Sequence, residues 1–172
     1  MQQINYRLCT NILIALKIFL LSKSATAKLF NTLASSWPQD ILPKVKNIKV
    51  YEVEADKTIL VADKMVAVQV RDTIVPFLGS QEELKCFPSV TIDEGAVKFV
   101  CNGAKVMRPG IVQFDSFKKG EIVAVKDQTH GKALAVGLAL EDSDVAKGLA
   151  KGYIIDTVHY VSDKIWKAYK KI

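Results

Sequence analysis

The sequence predicts an α+β protein in which a small N-terminal α/β unit precedes a small β-barrel, and three observations carry that prediction. Short Val- and Ile-rich runs recur along most of the chain, polar or Gly-containing turns separate them, and helical periodicity is confined to a few brief segments. With 172 residues, 49% of them hydrophobic, the chain can bury one ordinary core or two small ones.

The N-terminus is the first element. Arg7, the apolar run NILIALKIFLL and then Ala25-Thr26-Ala27 imitate a secretory signal peptide. Lys17 interrupts that run, and it falls short of the roughly 20 residues a membrane span needs. The alternative is a first strand or helix of the domain, lengthened by a misassigned start, and residues 1–20 are set apart as an extension. Next, SATAKLFNTLASSW places Ala25, Leu29, Phe30 and Leu33 at helical spacing, with Ser24 as N-cap and Trp37-Pro38 as stop. The runs IKVYEV, TILVAD and MVAVQV, separated by turns containing Asp56 or Asp63, read as an antiparallel meander. Residues Pro76 to Phe87 read as helical despite Gly79, and Phe87-Pro88 forms a boundary.

In the second half Asp93 is suited to cap a short helix with Ala96, Val97 and Val100 facing inward and Gly103 marking its end. Pro109-Gly110 then suits a type II turn, Pro presetting the first central residue and Gly accepting positive φ at the second. EIVAVKD, ALAVGLAL and GYIIDTVHYV read as strands joined by a turn around His130-Gly131 and by the polar segment EDSDVAKGLAKG. SDKIWKAYK closes the chain as a helix with Ile165, Trp166 and Tyr169 on one face.

Composition limits the function classes. The net charge of +6 is spread over both halves, 11 basic against 8 acidic residues up to 86 and 13 against 10 beyond, so no charged tail stands out. That surplus favours acidic partners such as RNA, an anionic membrane or an acidic protein. The run Lys164, Lys167, Lys170 and Lys171 reads as a solvated helix end. Cys9, Cys86 and Cys101 are odd in number and widely spaced, which suggests reduced, buried thiols in a cytoplasmic protein and neither a disulfide framework nor a zinc site. Asp156 and His159 lie three apart on a strand and so on opposite faces, and there is no nucleophile motif, P-loop or metal-ligand cluster beside them.

The run TIDEGAVKFVCNGAKVMRPGIV, followed by KKGEIVAV, ALAVGLAL and Gly152-Tyr153-Ile154 before His159, resembles the PUA domain of pseudouridine synthases and archaeosine transglycosylases. LSKSATAKLFNTL and PFLGSQEELKCFPSVTIDEGAVKFV resemble the domain that precedes PUA in the malignant T-cell-amplified-sequence family. The likeness runs from Leu21 to Trp166, and divides the chain into a pre-PUA domain over 21–87 and a PUA domain over 88–172. It implies a compact pseudobarrel that binds structured RNA without enzymatic activity, cofactor or membrane. In this family it further implies action in translation, initiation or recycling, at tRNA or small-subunit rRNA, beside a separate initiation-factor-like protein. A substrate-docking subunit of a tRNA or rRNA modification complex is the alternative, and a protein-interaction module a third.

The candidate RNA surface is the loop from Asn102 to Ile111, where Gly103 and Gly110 allow backbone N–H groups close to a phosphate or a base edge. Lys98, Lys105 and Arg108 would supply charge, Arg108 foremost as a forked phosphate or base contact. The resemblance assigns the RNA-contacting face to Gly103, Ala104, Lys105, Val106, Arg108, Pro109, Gly110 and Ile111, and to Lys151, Gly152 and Tyr153. Six of the candidates have a plainer reading: Gly103 and Gly110 serve turns, Val106 and Ile111 belong partly to the core, Lys98 is an ordinary exposed helix residue, and Tyr153 packs inside rather than stacking on a base. His130 and His159 are weaker candidates as phosphate donors.

Overall fold

The computed structural model describes residues 16–43 and 47–172. Arg7, Cys9 and the first five residues of the apolar run that imitates a signal peptide lie outside the described residues. No helix among the described residues is long and apolar enough to cross a membrane.

The N-terminal sheet has the order β1-β2-β3-β4-β5, formed by Lys17–Leu20, Lys49–Glu54, Lys57–Ala62, Met65–Val70 and Thr73–Pro76. The three expected strands are β2 to β4, each paired antiparallel with the next. Their turns are tight, and Asp63 and Arg71 take φ of 55° and 54° there. β1 and β5 extend the sheet on either side. Lys17–Leu20 thus pairs with Lys49–Glu52, although sequence reading set it in the extension.

Helix α1 spans Lys23–Ser36, and its cap is Ser22, whose hydroxyl accepts the Ala25 N–H at 3.2 Å, rather than Ser24. Either serine is a competent cap. Starting at Lys23 lets Thr26 and Leu33 be buried while Ala25, Leu29 and Phe30 are half-buried. The helix expected over 76–87 is reduced to α2, Gln81–Leu84. Phe77 and Leu78 are instead drawn into the core at 4% and 0% exposure, and a turn closed by Ser80 N–H to the Phe77 carbonyl follows.

The second sheet has the order β7-β11-β10-β9-β6-β8 and curls into the barrel-like body. Its strands are Ser89–Ile92 (β6), Val106–Met107 (β7), Ile111–Phe114 (β8), Ile122–Asp127 (β9), Ala133–Ala139 (β10) and Tyr153–Tyr160 (β11). β6 and β9 run parallel, and the other neighbours antiparallel. Helix α3, Glu94–Val100, is capped by Asp93 as expected. α4, Ser143–Gly148, occupies the segment read as a polar connection. α5, Lys164–Tyr169, is capped by Asp163.

Val90, Ile92, Val106, Val123, Val125, Ile154 and Ile155 fill the barrel interior. A second core joins Ile59, Val68, Val75 and Leu78 of the N-terminal half to Ile122, Ala124, Val136 and Ile165 of the other. Apolar burial of that kind, worth roughly 25 cal/mol per Å², binds the halves together. At this junction His159 is completely buried, its Nδ1 2.7 Å from Asp163 and its ring stacked on Phe77. Burial pushes the Asp163 carboxyl up. The His159 hydrogen bond and charge, with N–H groups from Trp166 and Tyr160, outweigh it and hold the carboxyl below its ordinary value. Lys164 is ion-paired with Glu54 and Lys170 lies over the Trp166 ring, so part of the expected solvated lysine run fastens α5 to β2. The thiols depart from expectation, since Cys86 is exposed and Cys101 only half-buried. Burial still pushes the Cys101 thiol up.

Candidate nucleic-acid interface

Two chain segments about forty residues apart form the walls of one groove of about 860 Å³. One wall is α3 and the loop after it, through Gly103, Ala104 and Lys105 to β7 and Pro109-Gly110; Tyr153 closes the other side. β7 is antiparallel to β11, and the register sets Met107 opposite Tyr153 and Val106 opposite Ile155. Alternation then sends Val106 inward at 1% exposure and leaves Met107 outside at 48%. Tyr153 is 57% exposed, so the expectation that it packs in the core is overturned: the register shift after it turns Ile154 and Ile155 both inward and leaves the phenol at the rim.

Phe99 is the third large apolar side chain at the rim, also 57% exposed. It stands off the face of α3 that carries Ala96, Val97 and Val100, and an aromatic on the wrong face of a short amphipathic helix was the signal that could have marked it. Met107, beside a buried valine, carried a fainter one. Clustered exposed apolar groups of this kind mark an interaction site.

The two loop glycines are both required by close approach. Gly103 has φ of +83°, and a Cβ there would lie 2.7 Å from the Tyr160 ring. Gly110 differs from the expected type II turn: Arg108–Gly110 forms a 3-10 turn and Gly110 keeps φ out of the positive range. Its role is contact, since a Cβ would stand 2.8 Å from that of Ala96, and its carbonyl accepts the Asp93 N–H at 2.9 Å. Ile111 is buried at 4% and Pro109 is exposed.

The charged candidates separate into two groups. Lys98 and Lys151 are exposed and have no carboxylate partner among the described residues, with the Lys98 ammonium 4.9 Å from the Phe99 ring centre. Lys105 reaches Asp156 at 3.3 Å, both about half exposed. Arg108 is turned away from the open rim. Its Nη1 donates to the Ile111 carbonyl at 3.1 Å and its Nη2 to the Lys147 carbonyl at 3.2 Å, while the guanidinium lies 5.1 Å from the Phe114 ring centre. Nε is buried without a partner. The fork expected to hold a phosphate is occupied by carbonyls, and Arg108 ties the turn to the end of α4. Its backbone N–H also donates to the Gly152 carbonyl at 2.8 Å, fixing Lys151-Gly152-Tyr153 beside the loop.

The histidines are elsewhere. His130 is exposed and lies 3.3 Å from Asp127, and His159 is sealed at the junction core. Asp156 is occupied by Lys105 and His159 by Asp163. Among the described residues there is no cluster of three or more His, Cys, Asp or Glu placed to hold a metal ion.

Residues 88–161 match the family described as the PUA domain. An uncharacterized protein of Methanocaldococcus jannaschii is 39% identical over 131 residues, covering 74% of this chain and 80% of that one. Translation machinery-associated protein 20 of Saccharomyces cerevisiae is 29% identical over 74% of this chain and 75% of its own, and human malignant T-cell-amplified sequence 2 is 29% identical over 78% and 79%. The crystal structure of a hypothetical protein from Pyrococcus horikoshii superposes with a TM-score of 0.73 at 32% identity, covering 88% of this chain and 98% of the other. With a matching barrel, the preceding sheet and these relatives, the chain belongs to the PUA-domain family of the malignant T-cell-amplified-sequence and translation machinery-associated 20 proteins.

Proposed function

We propose that the chain is a non-enzymatic RNA-binding protein of translation, acting in the cytoplasm, and that the groove receives an unpaired RNA segment such as the acceptor end of tRNA on the small ribosomal subunit. One observation carries the reading: Phe99, Met107 and Tyr153 stand exposed around a groove, with exposed Lys98 beside the Phe99 ring and exposed Lys151 two residues before Tyr153. Aromatic faces at such a rim stack on unpaired bases, and each stacked base contributes roughly 1–3 kcal/mol. The flanking ammonium groups attract the phosphates of the same strand. The exposed apolar rim favours a single strand over a duplex, whose bases are already stacked. The relatives named for the translation machinery supply the setting, and a separate initiation-factor-like protein is the expected companion.

The test is equilibrium binding of tRNA with and without its terminal CCA at two salt concentrations, beside Tyr153→Ala. Binding that weakens on loss of CCA, on loss of Tyr153 and on raising salt supports acceptor-end recognition. Binding indifferent to all three refutes it.

A further inference from the structure

Met107 stands apart from the other sulfur groups of the chain. Of the three methionines, Met1 lies outside the described residues and Met65 is buried at 3% exposure, whereas Met107 is 48% exposed. It lines the groove, and the β7–β11 register sets it directly opposite Tyr153. Residues opposed in an antiparallel pair carry their Cβ atoms roughly 5 Å apart, so the thioether and the phenol stand side by side on the rim. A thioether in that place is soft, flexible and apolar, suited to packing on a ribose or on the face of a base. Neither described cysteine lines the groove. Cys86 borders a separate hollow between the end of α1 and the start of β9. Cys101 is half-buried, and burial pushes its thiol up, which keeps it from forming the reactive thiolate.

We propose that Met107 is a reversible modification site: a peroxide oxidises its thioether to the sulfoxide, which weakens the hold of the groove on RNA, and a methionine sulfoxide reductase restores it. This rests on the RNA-binding reading and adds its regulation. The step balances as follows: the O–O bond of the peroxide breaks, one oxygen bonds to sulfur, which gives up an electron pair, and the other leaves as water. In the reverse step a dithiol of the reductase removes that oxygen as water and becomes a disulfide. The sulfoxide turns an apolar contact into a hydrated acceptor. A base that covers it strips its water without supplying a donor, and its partly negative oxygen faces a phosphate strand. Half of the Met107 side chain is open to solvent, so oxidant and reductase can both reach it, while Met65 is sealed from either.

The test treats the full chain with hydrogen peroxide, removes the excess with catalase, and then adds dithiothreitol, which reverses thiol oxidation and leaves the sulfoxide. Peptide mass spectrometry should find the added oxygen on Met107 well before Met65. Equilibrium binding of tRNA should then weaken about tenfold, the worth of one apolar contact made polar. Reductases of both epimer specificities should restore it. Met107→Leu keeps an apolar side chain of similar volume without the sulfur. It is compared with its own untreated form, so that any change in its starting affinity cancels, and peroxide should cost it nothing.

A Met107 that takes up no oxygen under peroxide that converts free N-acetylmethionine overturns the proposal. So does a sulfoxide that leaves tRNA affinity unchanged while Tyr153→Ala still weakens it, and RNA binding then stands without the switch. An equal loss in treated Met107→Leu assigns the effect to another group and also overturns it. Failure of the untreated protein to bind tRNA overturns both readings.

Discussion

Arg108→Ala separates the two roles that its sequence context and its structure assign to the same side chain. In the structure the guanidinium bridges the Ile111 and Lys147 carbonyls and lies over Phe114, so truncation removes two charge-assisted hydrogen bonds and a cation–π contact. Such hydrogen bonds are worth roughly 1.5–3 kcal/mol each when the acceptor is left dry, and a cation–π contact roughly 0.5–1 kcal/mol at an exposed site. The side chain is half-buried and water can reach the Lys147 carbonyl, so the expected loss of stability is about 2–3 kcal/mol. Arg108→Lys should lose nearly as much, because an ammonium cannot span two carbonyls as a planar fork does. Urea denaturation reads the stability, and the slope of log affinity for tRNA against log salt reads the phosphate contacts. A tether lowers affinity by loosening the groove and leaves the slope intact, whereas losing a phosphate contact makes the slope shallower by about 0.7. An undiminished denaturation midpoint together with a shallower slope in Arg108→Ala would refute the tether and restore Arg108 as a contact.

Three further outcomes are expected. Asp156→Asn releases Lys105, so RNA affinity should rise a few-fold and the salt slope steepen, with stability altered by less than about 1 kcal/mol because both partners are half exposed; an unchanged slope would show that Lys105 makes no phosphate contact. Gly137→Ala should destabilise by about 1–3 kcal/mol or more in urea, since a Cβ there would lie 2.7 Å from Ile155 Cγ2 and press on the β11 backbone at a bulge. For Asp163, whose folded pKa is depressed, the stabilisation is fully present above the ordinary carboxyl value and is lost as pH falls through the folded one. Melting temperatures between pH 7 and pH 3 should therefore fall at the acid end, and Asp163→Asn should flatten that fall; an identical acid profile in the variant would count against the His159–Asp163 pair.

How much of this was legible follows from how local each cause is. β2 to β4 could be read because each strand alternates within itself and each turn carries its own polar residue, and Asp93 could be read as a cap because its partner N–H is three residues away. β1 could be read only as a strand or a helix because its four residues sit in a longer apolar run, and what makes Lys17–Leu20 a strand is the β2 edge more than thirty residues later. α4 carries only Ser143 and Ala146 as buried residues, too few to impress a helical period on the sequence. The loop Asn102–Ile111 was recognisable as a site, but the sense of its residues was not. Arg108 is turned inward by a carbonyl 39 positions away, and Tyr153 is turned outward by a register shift in a pairing the sequence does not display.

Those distant causes converge on one property of the groove. Five ties cross from the loop to the segment 147–157: the β7–β11 pairing, the Arg108 N–H donating to the Gly152 carbonyl, the Arg108 fork, the Thr157 hydroxyl donating to the Ala104 carbonyl at 2.8 Å, and the Lys105–Asp156 ion pair. They fix the rim side chains in place before any ligand arrives, with three large apolar groups left facing water. A groove fixed in this way needs little protein ordering on binding, so most of the entropic cost falls on the RNA strand. Rim and tether substitutions should then differ in kind. Removing Phe99 or Tyr153 takes away contact surface and should speed dissociation, since affinity differences within one interface lie mostly in the off-rate. Cutting a tether lets the walls close or wander and reduces the fraction of molecules able to receive a strand, which slows association and leaves the bound state nearly as long-lived.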